Sequence, residues 1–310
     1  MRYRALGDLQ VSAIGLGAMP LSIEGHPDER QALATVHAAL DAGVTLIDTA
    51  DSYYAPGGEP GPGELLVARA LALYRGDTDA VLVATKGGRG RTPDGDWTVD
   101  GDPRHLKRAA RNSLARLGVE TIGLYQLHKP DPAVPFADSL GAFHDLLEEG
   151  TIRLAGISNV NADQIRLARR MLGDRLVSVQ NRYSPAVRDS EAELLLCAEL
   201  GIAFLPWGPL GGISRSSLDG PSGGPSTPGP YAAFHQVARD HGASPQQVAL
   251  AWLLARSPSV IPIPGSSRPE SIRDSAAAAD LVLSESELTV LDASGEGPRN
   301  SPDEQLPVGS

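Results

Sequence analysis

Four side chains able to move or steady a proton fall at the ends of three apolar runs. Asp48 and Tyr53 follow Val44-Thr45-Leu46-Ile47, Lys86 follows Val81-Leu82-Val83-Ala84, and His128 follows Leu124-Tyr125-Gln126-Leu127. A carboxylate, a phenol, an ammonium and an imidazole at one place would supply a proton donor, a base and a cation. A lysine beside a phenol would lower its pKa by favouring the phenolate, and an aspartate would hold that lysine ionised. The chemistry therefore depends on strands that emerge side by side into one pocket.

The chain has the means to build such a set of strands. Short β-branched apolar runs at about 12–18, 44–49, 80–85, 122–128, 152–157, 176–180, 202–207 and 260–263 alternate with helix-period segments. Those segments include 29–42, 103–117, 136–149, 161–172, 189–200 and 269–279. Pro103, Pro135 and Pro269 suit first helical turns, and Gly43, Gly118, Gly150 and Gly201 suit helix stops. Eight strand-helix units without a break in composition predict an α/β fold, a (β/α)8 barrel over residues 1–293. Residues 2–11, turning at Gly7-Asp8, predict a hairpin capping its N-terminal end. Residues 88–101 and 208–230, rich in Gly, Pro and polar residues, read as loops at the opposite face, and 294–310 as a flexible tail.

Composition narrows the partners. The net charge of −11 over 310 residues opposes general binding to nucleic acid or anionic membrane. No apolar stretch matches a signal peptide or a membrane span, so a cytoplasmic protein is expected. Cys197, the only cysteine, rules out an internal disulfide and, following three leucines, reads as a buried hydrophobe. The histidines show no metal-ligand spacing. Composition does not give the oligomeric state; a monomer is favoured only by the family resemblance that the motifs below carry.

In a (β/α)8 barrel the active site lies at the C-terminal strand ends. Besides the first four residues, those ends carry Ser158-Asn159, Gln180-Asn181, Trp207-Gly208 and Pro264-Gly265-Ser266. With G-L-G at 15–17, I-D-T-A-D-S-Y at 47–53, A-T-K at 84–86, L-H at 127–128, G-I-S-N at 156–159, V-Q-N-R-Y at 179–183, P-W-G-P-L-G at 206–211 and I-P-G-S-S-R at 263–268, the chain resembles the aldo-keto reductases from about residue 2 to residue 292.

The resemblance implies an NADPH-dependent oxidoreductase that reduces an aldehyde or ketone by hydride transfer. Asp48, Tyr53, Lys86 and His128 would form its catalytic tetrad, with Tyr53 as proton donor in preference to its neighbour Tyr54. Ser158, Asn159 and Gln180 would hold the nicotinamide carboxamide, and Trp207 would stack on the ring where a tyrosine is usual. Gly208, Leu210, Gly212 and Arg215 would approach the pyrophosphate. Gly265, Ser266 and Arg268 would take the adenosine 2′-phosphate, favouring NADP(H), and Asp274 the adenine amino group. The chain departs from the family at Ser271, where a basic residue is common, and at Asp274-Ser275, where Glu-Asn is common. It carries no Rossmann G-x-G-x-x-G in a strand-turn-helix setting. Met19, Tyr54 and Trp97 would line the substrate pocket, with Lys129 at its mouth. Two rivals share the barrel. A nucleotide-binding regulatory or redox-sensor subunit would keep the tetrad with little turnover. A glycosidase needs two apposed carboxylates, which these strand ends do not offer.

Overall fold

The computed structural model of the chain describes residues 1–211, 213 and 231–294. It opens on an antiparallel hairpin, β1 (Tyr3–Leu6) and β2 (Leu9–Ser12). Next, β3 (Leu16–Gly17) leads to α1 (Glu29–Asp41) and β4 (Leu46–Asp48) to α2 (Pro62–Leu73). Strand β5 (Leu82–Gly87) passes through a short hairpin, β6 (Arg89–Arg91) and β7 (Trp97–Val99), into α3 (Pro103–Leu117). Three units follow: β8 (Ile122–Leu127) with α4 (Phe136–Glu148), β9 (Ile152–Ser158) with α5 (Ala162–Leu172), and β10 (Leu176–Gln180) with α6 (Glu191–Leu200). After β11 (Ala203–Phe204) come α7 (Ala232–His241), α8 (Pro245–Arg256), α9 (Pro269–Ala277) and α10 (Glu285–Ala293). None of the described helices is long and apolar enough to cross a membrane.

The large sheet is parallel in the order β3-β4-β5-β8-β9-β10-β11, and the segment at 259–265 closes it into the (β/α)8 barrel. That eighth position forms only isolated bridges, Val260 to Phe204 and Gly265 to Gly17. Its prolines explain why. Toward β11, Ile261 N–H donates to the Phe204 carbonyl at 2.8 Å and Ile263 to that of Pro206 at 3.4 Å, while Pro206 has no N–H to continue the ladder. Toward β3, Pro262 and Pro264 accept from Gly15 and Gly17 at 2.9 Å each but have no N–H to return. On that side only the Ser266 N–H returns a bond, to the Gly17 carbonyl at 3.4 Å.

Strand alternation sorts the core into layers. Leu46, Leu82, Ala84, Leu124, Leu154, Ala203, Leu205, Ile261 and Ile263 point into the barrel, where Leu6 and Val11 of the hairpin close the bottom. The Gly7 turn, at φ +61°, lies directly against Val177. Outward residues such as Tyr125, Leu127, Ile157, Val179 and Phe204 pack against the helices instead. Arg4 fastens the hairpin, donating to the carbonyls of Leu254 and Val260 at 2.6 Å and to that of Ser257, at the end of α8. Burial, aided by the charge of Arg2, pulls its pKa down to about 10, so it stays cationic against that helix end.

Two segments differ from the sequence expectation. Residues 89–99, within the stretch expected as loop, form the β6–β7 hairpin; Arg-Gly-Arg carries no apolar alternation, and the three residues Trp97-Thr98-Val99 alternate over too short a run to signal a strand. Helix α8 is buried on most sides, from Val248 to Leu254, so it lacks an amphipathic period. Gly212, Arg215 and most of the loop at 208–230 lie outside the described residues, as does the tail from residue 295.

The β3 seam generates a prediction. A Cβ on Gly17 would stand 2.8 Å from the Ile263 carbonyl oxygen and 3.2 Å from the Gly265 nitrogen, both backbone atoms that cannot swing aside. Gly17→Ala should cost about 1–3 kcal/mol, read as a lower urea midpoint. An unchanged midpoint would show that the seam yields freely.

Candidate active site

At the C-terminal end of the barrel the inward-facing positions switch from apolar to polar. Leu46 gives way to Asp48 on β4, Ala84 to Lys86 on β5, Leu124 to Gln126 and His128 on β8, and Val177 to Ser178 and Gln180 on β10. All of these polar side chains are buried. Lys86 is fully enclosed and makes three bonds: to Asp48 Oδ1 at 2.5 Å, to the Thr49 carbonyl at 2.9 Å and to the Tyr53 hydroxyl at 3.0 Å. The ammonium's three donors are thereby used, which a buried charge requires.

The other oxygen of Asp48 is held as firmly. Gln126 Nε2 donates to Oδ2 at 3.0 Å and Gln180 Nε2 at 2.9 Å, while Ser178 donates to Gln126 Oε1 at 3.2 Å. Gln126 and Ser178 escape sequence inspection as site residues, because a Gln and a Ser inside apolar strands look incidental. The period-two parity of Gln126 with His128, and of Ser178 with Gln180, is the signal that identifies them.

Tyr53 and His128 complete the group. Their rings meet edge to face with centroids 5.6 Å apart. Ser52 Oγ lies 3.2 Å from His128 Nδ1, a partner the sequence reading passed over inside its own motif. Burial, reinforced by Lys86 and Arg89, pushes the His128 pKa well below its ordinary value, so the imidazole is neutral at physiological pH. Burial raises the Tyr53 pKa. Lys86 and Arg89 pull it down, as the sequence argument expected of Lys86, but do not overcome desolvation. Burial alone would lower the Lys86 pKa, but Asp48 and then Tyr53 outweigh it and keep the ammonium charged.

The residues assigned to a carboxamide have partners of their own. Ser158 Oγ donates to the Gln180 carbonyl at 2.6 Å, and Gln180 Nε2 is committed to Asp48. Asn159 Nδ2 donates to the His128 carbonyl at 2.9 Å and to Ser158 Oγ at 3.0 Å, and its Oδ1 accepts from Trp207 Nε1 at 3.2 Å. Asn159 thus ties three strand ends together, and it does so at φ +58° without being glycine. Trp207 is half-buried, followed by Gly208 at φ +60° and the half-buried Leu210.

At the eighth strand end, Gly265 approaches Pro20 so closely that a Cβ would lie 3.0 Å from its ring. Ser266 is buried with its Oγ unpartnered, one residue before Ser267 and Arg268, the N-cap of α9. Asp274 does not stand ready for an adenine. Its two oxygens accept from Ser244 and Gln247 at 2.7 Å each, anchoring α9 to the start of α8. Met19 sits in a short 3₁₀ turn, half-buried, and Tyr54 is buried with its hydroxyl accepting from the Arg91 N–H at 3.1 Å. Trp97 lies beneath both Arg89 and Arg91, whose guanidinium carbons are 4.3 and 4.0 Å from its ring centre. Lys129 is exposed. Cys197 is buried, which pushes its thiol up to about 12 and bars nucleophilic use.

A model of the aldo/keto reductase family matches residues 13–296. The chain belongs to that family. An uncharacterized oxidoreductase of Schizosaccharomyces pombe is 36% identical over 94% of this chain and 89% of its own length. Pyridoxine 4-dehydrogenase of Escherichia coli is 34% identical over 93% of this chain and 96% of its own. Among solved structures, an aldo-keto reductase of Klebsiella pneumoniae, in complex with NADP and acetate, superposes with a TM-score of 0.73 at 27% identity, covering 94% of each chain. The glycerol dehydrogenase of Gluconobacter oxydans gives 0.78, again at 27% identity and 94% of each chain. The chain is therefore an oxidoreductase by family.

Beneath the tetrad of this aldo-keto reductase lies a second acidic group. Asp51 is buried with Oδ1 unpartnered, near Glu64, which is fully buried and bonded to Thr85 at 2.6 Å and Arg116 at 3.1 Å. Burial, then the charge of Glu64, raises the Asp51 pKa well above its ordinary 3.8. The native state therefore holds a proton that the unfolded chain releases. Asp51 contributes stability below pH 3.8, and that contribution falls as pH rises toward the raised value. Asp51→Asn, which cannot ionise, should gain stability relative to the parent between about pH 4.5 and about pH 8, measured by urea unfolding. A constant difference across that window would contradict a protonated Asp51.

Proposed function

We propose that this protein reduces an aldehyde or ketone to an alcohol with NADPH, Tyr53 delivering the proton. The observation that carries the reading is the bonded chain from Asp48 through Lys86 to Tyr53, with His128 edge-on beside it. The bound dinucleotide would supply hydride to the carbonyl carbon.

The residues fit such a cofactor. The unpartnered, buried Ser266 Oγ beside the α9 N-terminus suits a phosphate, because helix N-termini and hydroxyl donors both favour an anion. Arg268 adds the planar donor set that a ribose phosphate takes best. Ser158, Asn159 and Gln180 retain acceptor capacity for a carboxamide while bonded to one another. Trp207, held in orientation by Asn159, offers a flat face for a nicotinamide. The complex of the Klebsiella relative with NADP supports the same reading.

In the proposed step, His128 and Tyr53 receive the substrate carbonyl oxygen. Ser52, by donating to Nδ1, leaves the ring proton on His128 Nε2, where it can donate to that oxygen. The neutral imidazole steadies the developing negative charge without protonating it outright. The phenol of Tyr53 then passes its proton to the alkoxide, and the phenolate left behind faces Lys86. Asp48 keeps Lys86 charged throughout, and Gln126 and Gln180 keep Asp48 from swinging away.

Two measurements test this function. Purified protein should oxidise NADPH in the presence of a generic aldehyde such as 4-nitrobenzaldehyde, and Tyr53→Phe should lower kcat by about a hundredfold or more while NADPH still binds. Near-normal turnover in Tyr53→Phe would remove Tyr53 from the reaction. Tight NADPH binding with no turnover on a broad carbonyl panel would favour a redox-sensing subunit instead. The cofactor choice is tested separately. Catalytic efficiency should favour NADPH over NADH, and Arg268→Ala should narrow that ratio by about tenfold. Equal use of both cofactors by the parent would overturn the assignment of Ser266 and Arg268 to a 2′-phosphate.

A further inference from the structure

The β6–β7 hairpin carries two arginines on one face, and only one is neutralised. Arg91 pairs with Glu24 at 2.7 Å, and its side chain is almost fully enclosed. Arg89, two residues earlier, has no acidic partner among the described residues. Its guanidinium lies on the Trp97 ring, and its Nε is buried without a hydrogen-bond partner. Burial, not offset by any carboxylate, lowers its pKa. Arg89 follows Lys86 by three residues, just past the C-terminal end of β5, and the Arg91 N–H on the same short strand donates to the hydroxyl of Tyr54, the neighbour of Tyr53, at 3.1 Å, which places the strand at the rim of the candidate site.

A half-buried cation without a counter-charge is an unfavourable arrangement, especially in a chain of net charge −11 with acids to spare. Two features hold it there. Trp97 immobilises the guanidinium by a cation–π contact. The hairpin itself is secured over the pocket by the Arg91–Glu24 pair and by the bond from the Arg91 N–H to Tyr54. Arg89 is therefore pre-positioned on the Trp97 ring, with its Nε paired to no acceptor of the protein.

Resting on the reductase reading above, we infer that Arg89 is the specificity-determining anchor for an anionic substrate, a carbonyl compound bearing a carboxylate or phosphate. The guanidinium would take the oxyanion in planar, bidentate fashion while the carbonyl lies between Tyr53 and His128. Trp97 would then serve as the backing of this anchor more than as an apolar pocket wall. The Arg91 guanidinium, already bonded to Glu24, is the scaffold of the pair.

The test compares 4-carboxybenzaldehyde with benzaldehyde, for the parent and for Arg89→Met. The parent should prefer the carboxylate substrate in kcat/KM, and the substitution should shrink that preference by about ten- to a hundredfold, mainly through KM. Loss of kcat on both substrates alike would mean that Arg89 tunes Tyr53 and anchors nothing, which overturns the inference. A parent without preference overturns it as well. Calorimetric titration with benzoate and benzamide, with and without NADP+, separates the two readings. Benzoate selectivity that disappears in Arg89→Met upholds the anchor even if no aldehyde is turned over. Equal affinity for both ligands sinks the anchor while leaving the reductase untouched. Phosphorylated and carboxylated aldehydes compared on the parent then distinguish the two oxyanions.

Discussion

The buried ion pair of Lys86 and Asp48 is the constraint to which the rest of the catalytic end answers. Two charges withdrawn from water in the middle of a barrel are costly, and breaking such a pair by removing one partner costs about 3–5 kcal/mol. Every remaining polar site on the two groups is accordingly occupied. The Thr49 carbonyl and the Tyr53 hydroxyl take the other ammonium protons, while Gln126 and Gln180 take the second carboxylate oxygen. Tyr53 is thus positioned by the same contacts that make the pair tolerable. The catalytic geometry and the solution to a burial problem are one arrangement.

That arrangement needs a rigid rim, and the strand ends provide it through a few cross-links. Asn159 accepts an unfavourable backbone conformation in order to join the ends of β8, β9 and β11 through His128, Ser158 and Trp207. Below the rim, the apolar layer from Leu46 to Ile263 and the hairpin residues Leu6 and Val11 exclude water from the underside of the pair. The weakest part of the wall is the proline-containing eighth position, where Ser266 alone returns a bond to β3. Close backbone packing of Gly17 against Ile263 and Gly265 compensates there.

Much of this was legible in the sequence, for a definite reason. Parallel strands buried on both faces read as apolar runs, so a lysine or an aspartate at the end of one stands out against its neighbours. The eight runs, the hairpin at Gly7-Asp8 and the tetrad are visible on that basis. Gln126 and Ser178 were not, because their importance lies in which face of the strand they occupy and in an acceptor two strands away. Asp274 carries a role the sequence does not show: it accepts from Ser244 and Gln247 at the start of α8 and so ties α9 to that helix. The β6–β7 hairpin was hidden because Arg-Gly-Arg shows neither period and Trp97-Thr98-Val99 alternates for only three residues. Its meaning is carried by the ion pair that one arginine makes and the other does not.

The electrostatics of Tyr53 also correct a simple picture of lysine activation. A proton donor must first hold its proton, and a phenol with its pKa brought near neutrality would be half ionised before substrate arrives. Burial prevents this by raising the pKa of the resting phenol. Lys86 opposes that rise, and in the proposed reaction its influence would matter most once the proton has left, when a phenolate must be stabilised in the same dry site. In the proposed reaction the neutral state of His128 would serve the same end, since an imidazolium there would protonate the substrate oxygen in place of Tyr53. Desolvation would keep the proposed donor loaded, and Lys86 would make its conjugate base tolerable. Neither could be read from a lysine beside a tyrosine alone, because desolvation depends on how completely the surrounding layers exclude water.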